Sequence, residues 1–210
     1  MRRSYSIFKK ESESRFVDAT FINNHDKDRI MSLLQGNTDQ AKMAASLLLT
    51  LPGNPFIYYG DEIGMKGSGR DENKREPMQW YVTGKGAGQT RWEPAASNRG
   101  VTSVEMQTKD ANSLFAHYRR MIELRKKEPA LKNGDILEFK FSNPEIISFV
   151  RATAEEKALI LHNVSGRDVE VDLEGGQAGA FSRFSFTSNE EVALNGSKLK
   201  LPPYSTVLLK

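Results

Sequence analysis

The chain has 210 residues, which bounds it to one or two domains. Its 30 basic and 27 acidic side chains leave a net charge of +3, spread along the chain rather than gathered into the basic footprint of a nucleic-acid binder. With 38% hydrophobic and 27% charged residues the composition is that of an ordinary globular chain. No apolar run approaches the ~20 residues of a membrane span, and zero cysteines exclude disulfides, zinc knuckles and thiol catalysis.

In chain order, the N-terminus is charged, and residues 7–15, with Lys9, Lys10, Glu11, Glu13 and Arg15, are too polar for the apolar stretch of a signal peptide. Residues 16–22 read as a short strand, ended by the polar burst Asn23-Asn24-His25-Asp26. Ala41, Ala44, Ala45, Leu48 and Leu51 recur at helical spacing. They predict a helix over 38–51 that Asn37 or Thr38 caps and Pro52-Gly53 stops. Residues 55–59 then form a β-rich run of the buried-strand type, closed by Gly60. Residues 60–109 make a glycine-rich stretch, and a loop of that length in a compact domain is usually functional. A second helix spans 113–127, which Ser113 or Asn112 can cap, with Leu114, Tyr118, Met121, Ile122 and Arg125 on one face and basic residues crowding its last turn. Strand, helix, strand, helix argues a parallel βαβα segment.

Near residue 130 the pattern changes to all-β. Candidate strands are 136–141, 146–152, 158–163, 169–173, 181–187, 192–194, 199–201 and 206–209. Asn143-Pro144, Ser165-Gly166, Gly175-Gly176 and Asn195-Gly196 supply turns between them, which together suggest a small antiparallel sandwich.

The most informative stretch is FINNHDKDR at 21–29. A strand followed at once by Asn, His, Asp and Arg puts ionisable groups at its C-terminal end, the end that faces the ligand crevice in parallel α/β folds. The bland alternative is that Asp26 caps a turn and His25 is a structural histidine.

Three further stretches follow in fixed order: LPGNPFIYYGDEIGM at 51–65, REPMQW at 75–80 and SLFAHYRRMIELR at 113–125. Together the four resemble the α-amylase family of glycoside hydrolases (family 13), in its bacterial α-amylase and oligo-1,6-glucosidase/α-glucosidase branch. The resemblance implies an α/β plus all-β fold. Residues 1–130 would be the C-terminal part of a (β/α)8 TIM barrel, its last two β/α units (β7-α7-β8-α8), and 131–210 a C-terminal antiparallel β-sandwich. Residues 16–22 and 56–59 would be barrel strands 7 and 8, 38–51 and 113–127 helices 7 and 8, and 1–15 the tail of helix 6 with its connection. A complete barrel typically takes ~250 residues, so this chain has no room for one.

The family cleaves α-glucosidic bonds with retention, using a nucleophilic carboxylate and a carboxylic acid. The stretches that carry those two residues are not in this sequence. What matches is the family's third acidic residue, Asp26, implied as the transition-state-stabilising carboxylate, and His25, implied as its sugar-binding neighbour. Arg75 matches a substrate-binding arginine less closely, because Glu76 stands where the family has Thr and Tyr81 where it has Asp. The alternative for Arg75 is a surface salt bridge with Glu72 or Glu76. The resemblance thus implies part of an α-glucan hydrolase (α-1,4 bonds of starch and maltooligosaccharides) that is inactive alone. Alternatives are an oligo-1,6-glucosidase, an α-glucosidase or a transglycosylase of the same family, or a non-catalytic carbohydrate-binding or assembly module.

No metal site and no cofactor are expected in this chain; calcium, where the family uses it, would belong to the missing N-terminal part. Expected partners are an α-glucan and that missing barrel portion, with no nucleic acid and no membrane. Open strand edges should make the isolated chain self-associate. Localisation stays open between extracellular and cytoplasmic, since any signal region would precede Met1. Among other residues, Trp80 and Trp92 read as loop packing before sugar stacking, and Tyr58 and Tyr59 as core or pocket wall. Asp61-Glu62 and Asp71-Glu72 read as loop acids, Arg29 as a loop anchor through a carboxylate, and His117 and His162 as structural.

Overall fold

The computed structural model describes residues 2–12, 16–99, 102–139, 141–174 and 178–210. Within them lie α1 (Arg2–Glu11), α2 (Ile30–Leu33), α3 (Thr38–Thr50), α4 (Asp71–Lys74), α5 (Val104–Gln107), α6 (Leu114–Lys127) and α7 (Pro129–Asn133). The strands are β1 (Asp135–Glu138), β2 (Ile146–Ala152), β3 (Lys157–Asn163), β4 (Val169–Asp172), β5 (Phe184–Thr187), β6 (Ala193–Asn195), β7 (Lys198–Leu201) and β8 (Thr206–Leu209). These residues form two compact units. One comprises Met1–Thr20, Leu49–Asn54 and Ile122–Lys210, the other Phe21–Leu48 and Pro55–Met121.

In the first unit every strand pairing is antiparallel. A five-stranded sheet runs β1-β2-β3-β8-β5 and a three-stranded sheet β4-β7-β6. The alternation in β4 and β7 turns Val169, Val171, Leu199 and Leu201 onto one face, where they meet Leu159, Leu161, Val207, Leu209 and Phe181 in a single apolar core. Residues 158–163 lack such alternation because β3 is buried along both faces. Leu159 and Leu161 enter that core, while His162 on the opposite face meets Thr50 (3.2 Å) and Thr206 (2.8 Å) through its two ring nitrogens. Burial pushes its imidazole down to about 3, so it stays neutral. The expected β-rich half is thus present. Its fifth strand starts at Phe184 rather than 181, because Phe181 drops into the core after a short 3-10 turn. Lys140 and the Gly175-Gly176 turn lie outside the described residues.

The same unit shows how α3 ends. A helix leaves its last carbonyls unpaired, and here two arginines take them. Arg125 donates to the carbonyls of Leu49 and Leu51 (both 2.8 Å) and of Gly53. Arg151 donates to those of Thr50 and Gly134. Gly53 is required there: its φ is +94°, and a Cβ would sit 2.4 Å from the carbonyl oxygen of Asp18, which accepts from the amide of Asn54.

In the second unit, α3 and α6 begin at the expected caps. The Asn37 side chain accepts from the Gln40 amide and the Ser113 hydroxyl from that of Ala116. Their apolar faces bury Ala41, Ala45, Leu48, Leu114, Tyr118 and Met121, with Ser46 and His117 joined at 2.9 Å in the same layer. Burial lowers the His117 imidazole to about 4. The glycine-rich stretch is pinned by a buried acid. Glu76 accepts from the Ser97 amide and the Asn98 side chain, and Asn98 also exchanges hydrogen bonds with both backbone groups of Lys66.

One expectation changes. Residues 16–20 are irregular, and the two predicted barrel strands meet only as a single parallel bridge, Phe21 to Phe56. Parallel sheets form where both faces are covered. Among the described residues neither segment has a second neighbour, and Phe21 and Phe56 are 52% and 61% exposed. Of the predicted first segment, Met1 and residues 13–15 lie outside the described residues, and the rest contains α1.

Arg125→Ala is expected to lower folding stability by about 2–4 kcal/mol, because three half-buried carbonyls lose a charged donor. Urea denaturation followed by circular dichroism measures it.

Candidate functional site

The turn that carries His25 and Asp26 is made by its own asparagine. The Asn24 side-chain oxygen accepts from the backbone amides of Asp26 (2.9 Å) and Lys27 (3.1 Å). Such an Asx turn lifts the two intervening side chains into solvent, and His25 and Asp26 are 62% and 64% exposed. The His25 Nε2 lies 3.4 Å from Asp26 Oδ2.

Arg75 reaches this turn from α4. Its Nη2 lies 3.3 Å from Asp26 Oδ1, and its Nε donates to the His25 carbonyl at 3.2 Å. All three sequence-predicted site residues are therefore brought together. The salt-bridge partners foreseen for Arg75 are not the ones it takes: it pairs with Asp26 and with Asp71 (2.9 Å), whereas Glu76 is buried against Asn98. One helical turn explains the choice, since Asp71 stands three residues before Lys74 and four before Arg75. Lys74 completes the set, donating to the Asp26 carbonyl (3.2 Å) and pairing with Asp71 (3.0 Å). The Lys74 hydrogen bond, then the charges of Arg75 and Lys74, hold the Asp71 carboxyl below its usual range. Sequence reading missed Asp71 as a site member, although its spacing to Arg75 was a usable signal.

Beneath the turn lies Arg29, fully buried. Its guanidinium donates to the carbonyls of Lys74 (3.0 Å) and Tyr59 (2.7 Å) and sits 3.7 Å from Asp61. It also lies 4.4 Å and 4.8 Å from the ring centres of Tyr58 and Tyr59, within cation–π range. The two tyrosine hydroxyls donate onward to the carbonyls of Lys74 and Glu76. Burial raises the Tyr58 phenol to about 12. Tyr58 and Tyr59 thus serve as a wall for Arg29, which is the loop anchor the sequence suggested.

Asp61 is the larger correction. It is a buried acid rather than a solvated loop acid. Burial pushes its carboxyl up to about 7 against the opposing pull of Arg29. Glu62 is raised for the same first reason. The two tryptophans also depart from the loop-packing reading, since Trp80 and Trp92 are 43% and 59% exposed. Trp80 borders a shallow cleft with Tyr81, Val104 and Glu105.

The exposed cluster therefore offers one carboxylate, one imidazole and one guanidinium on a rigid turn. A carboxylate accepts from hydroxyls, and the two nitrogen groups donate to hydroxyl oxygens. That is a set suited to a polyhydroxylated ligand.

Comparison with protein families matches residues 2–134 to the α-amylase catalytic domain and 146–208 to the C-terminal domain of the α-amylase SusG. Alpha-amylase 3 of Dictyoglomus thermophilum is 36% identical over 202 residues, covering 95% of this chain and 40% of its own length. An oligo-1,6-glucosidase of Halalkalibacterium halodurans is 30% identical over 249 residues, covering 97% of this chain and 44% of its own. Among solved structures, an α-amylase from H. orenii superposes with a TM-score of 0.88 at 38% identity, covering 99% of this chain and 43% of that one. The chain spans less than half the length of these relatives.

The two arginines should respond differently to removal. Arg29→Met is expected to cost about 3–5 kcal/mol, because it strands a buried acid, and the cost should grow as pH rises and Asp61 ionises. Arg75→Ala, losing only exposed pairs, should stay within about 0.5 kcal/mol of wild type. Urea denaturation at two pH values separates them.

Proposed function

The chain belongs to the α-amylase family of glycoside hydrolases, and from that membership we propose that it is the C-terminal part of a retaining α-glucan hydrolase acting on α-1,4 bonds. In this reading residues 1–130 are the last two β/α units of the barrel and 131–210 its sandwich. Asp26 faces the sugar at the cleavage position. The observation that carries the proposal is the convergence of Asp26, His25 and Arg75, from segments 49 residues apart, on one exposed turn.

The chemistry follows from charge. Glycoside cleavage passes through an oxocarbenium-like state in which positive charge develops at the anomeric carbon. A fixed carboxylate at Asp26 stabilises that charge more than it stabilises the neutral ground state, the condition for catalysis. Its oxygens accept from sugar hydroxyls, while His25 and Arg75 donate to hydroxyl oxygens and orient the ring. Arg75 also neutralises part of the Asp26 charge, so ligand entry exchanges an ion pair for hydroxyl contacts.

Bond breaking needs two further carboxyl groups, a nucleophile and an acid. The family's Gly-Phe-Arg-x-Asp nucleophile stretch is not in this sequence. Both groups would come from an N-terminal barrel portion, which is then the chain's first partner. The kinship to an oligo-1,6-glucosidase supports α-1,6 cleavage as the second reading.

The purified chain is expected to release no reducing sugar from maltooligosaccharides. Supplied with a barrel portion bearing nucleophile and acid, it should gain hydrolysis, and Asp26→Asn should then lower kcat by about 10²–10³-fold. Hydrolysis by the chain alone overturns the division of labour.

Phe21 and Phe56 leave apolar surface exposed at the single parallel bridge, a surface that invites association. The chain alone should therefore self-associate, and multi-angle light scattering should report more than one copy. A barrel portion that binds it should reduce the association.

A further inference from the structure

The geometry points to Asp61 as the positioning residue for the turn that presents His25 and Asp26. The functional meaning of this assignment rests on the role proposed for Asp26; its geometry does not.

Residues 23 and 29 bound the turn, and the side chains of both converge on one carboxylate oxygen. Asn23 Nδ2 donates to Asp61 Oδ1 at 3.1 Å, and Arg29 Nη1 lies 3.7 Å from the same atom. Asn23, Arg29 and Asp61 are buried, whereas His25 and Asp26 between them are exposed. The side-chain oxygen of Asn23 has no partner, so its orientation depends on the bond to Asp61. Arg29 has other acceptors, at Tyr59 and Lys74, so Asp61 matters most at the Asn23 end.

The clamp stands on a stiff base. Asp61 opens a 3-10 turn flanked by Gly60 (φ +85°) and Gly64 (φ +74°), and its amide donates to the Tyr58 carbonyl at 3.0 Å. A Cβ at Gly60 would meet the Met65 sulfur at 2.4 Å, so this turn is closely packed.

The charged and titratable groups facing Asp61 are Arg29, Glu62 and Tyr118. Burial dominates over the attraction of Arg29, so the packed turn favours the protonated acid, whose carbonyl oxygen still accepts from Asn23. An opening that hydrates Asp61 restores an ordinary carboxyl. The packed form therefore binds its proton more tightly than the open form. By linkage the turn is tightest at acidic pH and loosens as pH rises toward and through about 7. Asparagine at 61 mimics the neutral acid and should hold the turn closed regardless of pH.

Hydrogen–deuterium exchange of the 210-residue chain, corrected for the intrinsic pH dependence of exchange, tests this through peptides covering residues 21–30. The pH series is run in the His25→Gln background, which removes the imidazole from the turn. Protection of 21–30 should fall about tenfold as pH rises from about 5.5 to about 8.5. Asp61→Asn should keep the high protection and remove the pH dependence. Asp61→Ala should lower protection at every pH while peptides from β3 stay unchanged. Unchanged protection in Asp61→Ala, or a loss shared equally by β3, overturns the assignment, as does the same pH dependence in Asp61→Asn. Should Asp61→Ala not fold, Asn23→Ala is expected to loosen the 23–26 side alone, and its failure to do so overturns the assignment equally. A clamp that behaves as expected, in a chain whose Asp26→Asn variant loses no activity with a barrel portion, sinks the glycosidase role of Asp26 and leaves Asp61 as the positioning residue.

Discussion

The exposed turn at residues 23–29 keeps its shape because the guanidinium of Arg29, buried beneath it, has no water to turn to. Taking a cation out of solvent is costly unless every direction it points offers an acceptor or a π-face. Arg29 meets most of that requirement from two separated segments at once, through the Lys74 carbonyl on one and the Tyr59 carbonyl, both tyrosine rings and Asp61 on the other; its Nη2 alone has no hydrogen-bond acceptor among the described residues. Satisfying one charge therefore fixes the relation between the segment that carries Asp26, the tyrosine pair and the segment that carries Arg75. Specificity of arrangement comes from the cost of leaving that charge unmet.

The same solution recurs at the end of α3, where Arg125 and Arg151 gather carbonyls rather than carboxylates. A guanidinium carries five donors in a planar fork, so it can serve several backbone oxygens that a lysine would leave unpaired. Both sites spend arginine on backbone geometry. Burial explains why the Asp61 carboxyl, only 3.7 Å from Arg29, is still pushed up to about 7: desolvation outweighs the attraction of the guanidinium.

The polar groups divide by burial. His117 and His162 lose theirs to burial and serve as neutral hydrogen-bond partners of Ser46, Thr50 and Thr206. Asp26, His25 and Arg75 stay in solvent and keep hydrogen-bonding capacity for a ligand. Under the function proposed above, a sugar would offer a hydroxyl to each of these groups.

Much of the architecture was legible in the residues. Periodicity located α3 and α6 and the alternating strands β4 and β7, because one-sided burial writes itself into spacing; short apolar runs between turn residues marked the other strands of the antiparallel half, and residue type marked the caps at Asn37 and Ser113. The run at 21–29 exposed Asp26 and His25 for a similar reason: ionisable groups placed directly after an apolar strand stand out in composition. Tertiary structure alone decided that Arg75 turns to Asp26 and Asp71 rather than to Glu72 or Glu76, that Asp61 is buried, and that the two N-terminal strand segments meet only at Phe21 and Phe56. Each of these depends on which distant segment covers a side chain or pairs an edge. Burial and pairing of that kind set electrostatics and strand formation, and they leave no periodic mark in the sequence.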